Sequence, residues 1–153
     1  MIKLFRICNS EHINDMSGTG ARIYGGRWNH PGYPVVYTSS SRSLAALEFL
    51  VHVPMALAPQ NLNIVEINIQ KNVKRELIAE NQLPENWRNY PAPEQLANIG
   101  TNWIKENSSL LLEIPSAVVA KEMNVLINPL HPDIKHANVA AKEKFFFDSR
   151  LFR

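Results

Sequence analysis

The chain opens on Ile2 to Ile7, IKLFRI, a mostly apolar run that predicts a short strand. It then loses periodicity: Asn9 to Gly32 is polar and Gly-rich, with neither a two-residue nor a 3.6-residue repeat. A structureless stretch of that length costs ordering entropy, so it is expected to be a long loop with a task, bordering an active site. Pro34 to Thr38, PVVYT, predicts a β-rich strand. The serines at 39, 40, 41 and 43 then offer N-caps for a helix running to about Val53 and stopped by Pro54. Between Leu44 and Val53 only Glu48 and His52 are polar, which predicts a helix buried nearly all round and leaves Glu48 little access to bulk water.

Further along, Leu62 to Ile69 and Lys74 to Ile78 predict two strands, and Pro84 to Pro93 a Pro-rich connection containing Trp87. Leu96, Ile99, Trp103 and Ile104 recur at helical spacing, predicting an amphipathic helix over Glu94 to Asn107. Leu110 to Ile114, Ala117 to Ala120, Val125 to Ile127 and Lys144 to Asp148 are four more short strands, broken by Pro115, Pro129 and Pro132. Many short strands with only two strong helices predict an α+β domain with a mainly antiparallel sheet, spanning residues 1–153 without internal repeats.

Composition narrows the class. With 45% hydrophobic and 20% charged residues, the chain is neither disordered nor fibrous, and 153 residues suffice for one core. Its 16 Lys and Arg against 14 Asp and Glu leave a formal charge of +2, scattered rather than striped, so nucleic-acid binding is not implied. Dispersed arginines suit a small anion, which a guanidinium can hold by paired hydrogen bonds. Cys8 is the only cysteine, so no intramolecular disulfide is possible. The N-terminus, MIKLFRICNS, has no apolar leader and no run approaches a membrane span, so a cytoplasmic protein with no membrane partner is expected.

Residues 18–38 read GTGARIYGGRWNHPGYPVVYT, glycines surrounding Arg22 and Arg27. Backbone N–H groups at glycines approach anions closely, so a phosphate site and a plain flexible loop both fit; the run is neither a P-loop nor a dinucleotide fingerprint. Glu48 is the sharper signal, because a carboxylate on an apolar helix must be paired or hydrogen-bonded. A structural ion pair with an arginine and a functional carboxylate remain open alternatives. Ser116, in PSA, lies in no Gly-x-Ser-x-Gly elbow, and the five histidines show no metal-ligand spacing, so neither acyl transfer nor a metal site is expected.

At these residues the chain resembles the RES-domain family. GGRWNHPGYPVVYTSSSRSLAALE is similar to the family's first block, IPSAVVAKEMNVLINPLHP to its second and FFFDSRL to its closing strand. The resemblance implies an ADP-ribosyltransferase-like fold and a toxin of a toxin–antitoxin pair that degrades NAD+ by hydrolysis or phosphorolysis. It marks Glu48, Arg27 and Ser116 as catalytic and Arg6, Arg27, Tyr37 and Asn128 as contacts to NAD+, which is the substrate, with no cofactor. It also implies a cognate Xre-type, helix-turn-helix antitoxin as partner, with homodimerisation open. An oxocarbenium-like ribose calls for a carboxylate, the role of Glu48, with Arg6 and Arg27 on the pyrophosphate, Tyr37 beside the nicotinamide and Ser116 orienting Glu48 or the ribose. Arg6, Arg22 and Arg27 exceed what one pyrophosphate needs, which points to inorganic phosphate as a second bound anion. Transfer of ADP-ribose to a macromolecule and a catalytically inactive interaction module are the competing readings.

Overall fold

A computed structural model describes residues 1–53 and 60–152; Pro54, the expected helix stop, lies outside them. Among the described residues seven strands form one sheet: β1 (Ile2–Asn9), β2 (Val36–Ser39), β3 (Leu62–Ile69), β4 (Arg75–Leu77), β5 (Leu111–Pro115), β6 (Met123–Ile127) and β7 (Ala137–Lys144). Their spatial order is β4-β5-β6-β2-β1-β3-β7, and every pairing is antiparallel except β4 with β5. Three α-helices among the described residues accompany it, α1 (Thr19–Tyr24), α2 (Arg42–Leu50) and α3 (Glu94–Glu106). The expected α+β architecture, mainly antiparallel with few helices, is the one observed.

Side chains alternate across a strand, so the packing clusters reveal the sheet's two faces. Leu4, Val36, Val65, Ile67, Leu111, Val125 and Ile127 share one face in a single cluster. On the other face the neighbouring residues divide into two. Leu112, Ile114 and Leu126 pack with Trp28, Trp87 and the α3 residues Leu96, Trp103 and Ile104, while Ile7, Leu62 and Ile64 pack with Ala45 of α2. Burial on both faces explains why β5 and β6 read as nearly continuous apolar runs.

Four expectations are corrected. The polar stretch from Asn9 to Gly32 contains α1, a helix too short to declare a period, ended by Gly25 at φ 72°, a left-handed conformation that favours glycine. Residues Ala117 to Ala120 form bends and a turn, not a strand. Ser116 Oγ accepts hydrogen bonds from the N–H groups of Val118 and Val119, at 3.1 and 3.0 Å, diverting them from any ladder. The last strand described is β7, which ends at Lys144 where the expected strand begins; beyond it the side chains of Phe145 and Phe147 pack beside Ala45 and Phe49. Finally, α2 is not buried all round. The sheet covers the side carrying Leu44 and Ala45, whereas Leu47 and Val51 remain 40% and 57% exposed.

Candidate active site

Between the two clusters on the second face runs a broad cleft whose floor includes Ile7, Tyr37, Ser39 and Asn124. One wall is α2. Ser41 caps this helix, its Oγ accepting from Leu44 N at 3.1 Å. Glu48, one turn beyond the buried Leu44 and Ala45, therefore sits at the edge of the buried side and lines the cleft half-exposed, with more solvent than its apolar neighbours predict.

Two neutral donors converge on a single oxygen of this carboxylate. Ser116 Oγ donates to Glu48 Oε1 at 2.6 Å, and Asn124 Nδ2 donates to the same atom at 2.7 Å. Ser116 is almost fully buried and fixed by the two backbone N–H groups of the turn that follows. Neither an arginine nor a lysine forms an ion pair with Glu48 among the described residues. A structural ion pair is thus not what holds this carboxylate among the described residues.

The opposite wall is the loop GGRWN. Trp28 is buried in the α3 cluster, and its backbone N–H donates to Tyr37 Oη at 3.1 Å. That hydroxyl in turn donates to Asn29 Oδ1 at 2.6 Å, while Asn29 Nδ2 donates to the carbonyls of Ala21 and Tyr33. The Tyr37 hydroxyl is consumed in holding this loop, and burial pushes its pKa above the ordinary phenol value. Gly100 of α3 lies flush against the loop, so close that a Cβ there would fall 1.7 Å from Trp28 O. Arg27, half-buried, donates through Nη1 to the carbonyls of Trp87 and Asn89 at 2.9 and 3.1 Å. Burial lowers the pKa of its guanidinium, and the Glu48 charge is the largest influence opposing that shift.

The remaining assignments fare differently. Arg6 contributes to the cleft wall where β1 and β2 meet only at Phe5 and Ser39, but its Nη2 donates to the carbonyls of His12 and Asp15, at 2.8 and 2.5 Å. Its Nε is buried without a partner among the described residues. Asn128 is not brought to the cleft: fully buried, it donates to Asn107 Oδ1 at 2.7 Å and accepts from Leu130 N at 2.9 Å. Arg22 is exposed and is not part of the cleft lining. The sequence reading missed Asn124; the available signal is a polar amide in an otherwise apolar strand, MNVLI, where asparagine is disfavoured. Among the described residues no three His, Cys, Asp or Glu side chains gather as metal ligands, and no helix is long and apolar enough to cross a membrane.

Residues 3–148 match the RES domain family. Over 142 residues the chain is 39% identical to the "Prs ADP-ribosylating toxin" of Sphingobium sp. (strain YBL2), covering 92% of this chain and 88% of that protein. It is 38% identical over 151 residues to "Toxin Res" of Yersinia enterocolitica, covering 97% and 98% of the two chains. Among solved structures, a chain of the M. tuberculosis MbcT–MbcA toxin–antitoxin complex superposes with a TM-score of 0.70 at 16% identity, covering 98% of this chain and 86% of that one.

Proposed function

The chain belongs to the RES-domain family, and from that premise we propose that it is the toxin of a toxin–antitoxin pair and acts by breaking the nicotinamide–ribose bond of NAD+. The observation that carries this reading is the Glu48 carboxylate, gripped through Oε1 by Ser116 and Asn124 while Oε2 accepts no hydrogen bond from the described residues. A fixed, half-exposed anion with one uncommitted oxygen suits a reaction that develops positive charge on a ribose.

Heterolysis sends the bonding electron pair to the nicotinamide nitrogen, which is cationic in NAD+ and leaves neutral, so the leaving group takes no proton. Charge then grows on C1′ and the ring oxygen, where Glu48 stabilises it directly or through a ribose hydroxyl. An acceptor oxygen completes the exchange by bonding to C1′. Arg27 keeps Nε and Nη2 for the pyrophosphate, because the carbonyls of Trp87 and Asn89 occupy Nη1. Arg6 stands apart: in register with Val65, it sends its side chain to the sheet's first face, where Nη2 donates to the His12 and Asp15 carbonyls, so the pyrophosphate falls to Arg27 in this reading. Tyr37 borders the nicotinamide with its ring while its hydroxyl steadies the loop. The reading calls on no cofactor beyond the substrate.

The acceptor is phosphate, giving ADP-ribose-1″-phosphate, or water, giving ADP-ribose. Arg22 lies outside the cleft lining, so the excess of arginines favouring phosphate is smaller than the sequence suggests. A second reading, ADP-ribosyl transfer to a macromolecule, is favoured by the name of the Sphingobium relative. Purified protein incubated with labelled NAD+, with and without phosphate and with cell extract, separates them. Released nicotinamide supports the common step, and the label appears in ADP-ribose-1″-phosphate, ADP-ribose or macromolecules according to acceptor. Intact NAD+ in every arm refutes the proposal. The expected partner is an Xre-type antitoxin that covers the cleft in the cytoplasm, a reading supported by the solved neighbour's origin in a toxin–antitoxin complex. Growth arrest on expression of this chain alone, relieved by the cognate antitoxin, is the corresponding result in cells.

A further inference from the structure

Glu48 Oε1 is saturated from a direction the sequence did not mark. Asn124 stands on β6 directly opposite Ser39 of β2 in the ladder, and both line the cleft. Ser39 Oγ donates to Asn124 Oδ1 at 2.7 Å, and Asn124 Nδ2 donates to Glu48 Oε1 at 2.7 Å. The carboxylate settles which end of the amide faces it: an oxygen turned toward Oε1 would set two acceptors against each other, so the amide must present its donor. Ser39, the fixed neighbour across the ladder, occupies the other end. The result is a relay of three side chains from two adjacent strands to the helix carrying the carboxylate, independent of the arm through Ser116.

We propose that Asn124, oriented by Ser39, is a positioning residue for Glu48, and that the pair fixes the plane in which the carboxylate presents its free oxygen to the ribose. Ser116 and Asn124 together occupy Oε1, so Oε2 alone is presented to the substrate. Without Asn124 only the Ser116 bond holds the carboxylate, and because its last torsion is soft the carboxylate plane and the direction of the uncommitted oxygen are less well defined. This inference rests on the proposed NAD+ cleavage for its kinetic consequence, but the hydrogen-bond relay itself is testable without any turnover.

The kinetic arm compares Asn124→Ala, Ser39→Ala and Ser39→Thr with wild type. Misplacing a reacting group by a fraction of an ångström to an ångström costs about ten- to a hundredfold in rate, so Asn124→Ala is expected to lose that much kcat with KM for NAD+ nearly unchanged. Ser39→Ala should lose a smaller factor, and Ser39→Thr, which keeps the hydroxyl, should restore it. Glu48→Ala should abolish the further effect of Asn124→Ala, since the residue acts only through Glu48. The spectroscopic arm follows the Asn124 side-chain amide in a 1H–15N spectrum of wild type and Glu48→Ala. Its carboxylate-bonded proton is expected downfield in wild type and shifted in the variant. Should wild type leave NAD+ intact while this signal behaves as expected, the function falls and the relay stands. Unchanged kcat in Asn124→Ala, a loss confined to KM, Ser39→Thr no better than Ser39→Ala, or an amide signal indifferent to Glu48 would each overturn the proposal.

Discussion

Replacing Gly100 by alanine tests whether α3 sets the position of the Arg27 loop. A methyl carbon there would meet Trp28 O at 1.7 Å and Trp28 C at 2.9 Å, where ordinary contact begins near 3.4 Å, so helix and loop must separate by more than an ångström. Neither yields easily. Leu96, Trp103 and Ile104 anchor α3 in the core, and Trp28 is buried beside them with its N–H tied to Tyr37. Forcing an extra methyl into packed structure costs about 1–3 kcal/mol or more, against roughly 1 kcal/mol returned by alanine's helix preference over glycine. At about 2–4 °C per kcal/mol for a domain of this size, Gly100→Ala should melt a few degrees below wild type. Because the displaced segment carries Arg27 and Asn29, the proposed NAD+ cleavage should fall by about tenfold or more. Gly20→Ala in α1 is the control: no atom lies within 4 Å of the added carbon, so the same substitution should leave Tm unchanged or raise it. Calorimetry of both variants beside the cleavage assay decides the matter. Gly100→Ala melting at or above wild type with full turnover would refute the claim that close approach at this glycine builds the loop.

Glu48→Gln keeps the size and a hydrogen-bonding oxygen but removes the charge, so cleavage should drop by about a hundredfold or more while Tm stays near wild type; a well-folded, fully active variant contradicts the assigned role. Tyr37 has a raised pKa, so its contribution to stability is fully present below about pH 10, the ordinary phenol value, and is lost as pH rises toward the folded value. Thermal melts from pH 9 to 11 should therefore fall more steeply for wild type than for Tyr37→Phe, and parallel slopes would contradict burial of a neutral phenol. Asn128→Ala removes two bonds to the chain around α3 and should lower Tm by several degrees, with KM for NAD+ unchanged in the folded fraction. A raised KM at unchanged Tm would return Asn128 to the binding site.

The sequence was most informative where one periodicity ruled a segment. Leu62 to Ile69 emerged as β3 with both ends correct, and Glu94 to Asn107 as α3 to within a residue, because burial of one stripe or of both faces wrote itself into the apolar pattern. It was least informative where packing was lopsided or local hydrogen bonds prevailed. The exposed edge strand β7, ANVAAKEK, has almost no apolar alternation to read, and its charged end suits an unpaired edge. Ala117 to Ala120 had strand composition but lost the competition to the Ser116 hydroxyl. In the candidate site, Glu48 was legible from its apolar helix and Ser116 only through the family resemblance, and the structure joins them directly. Asn124 was not, because its significance comes from a ladder register across 85 residues of chain that no local pattern carries.

The cleft separates two packing clusters that share the sheet beneath them. Glu48 travels with α2 and its small cluster, and Arg27 with the α3 cluster, so the spacing between carboxylate and guanidinium is set chiefly by the strands from β1 through β2 to β6. The sheet acts as a caliper, with each jaw stabilised by a different set of apolar residues. Substitutions that soften one cluster therefore loosen one jaw and leave the other in register. The geometry of the cleft can drift by small steps in jaw spacing, from positions far from it, without the fold or the carboxylate clamp being touched.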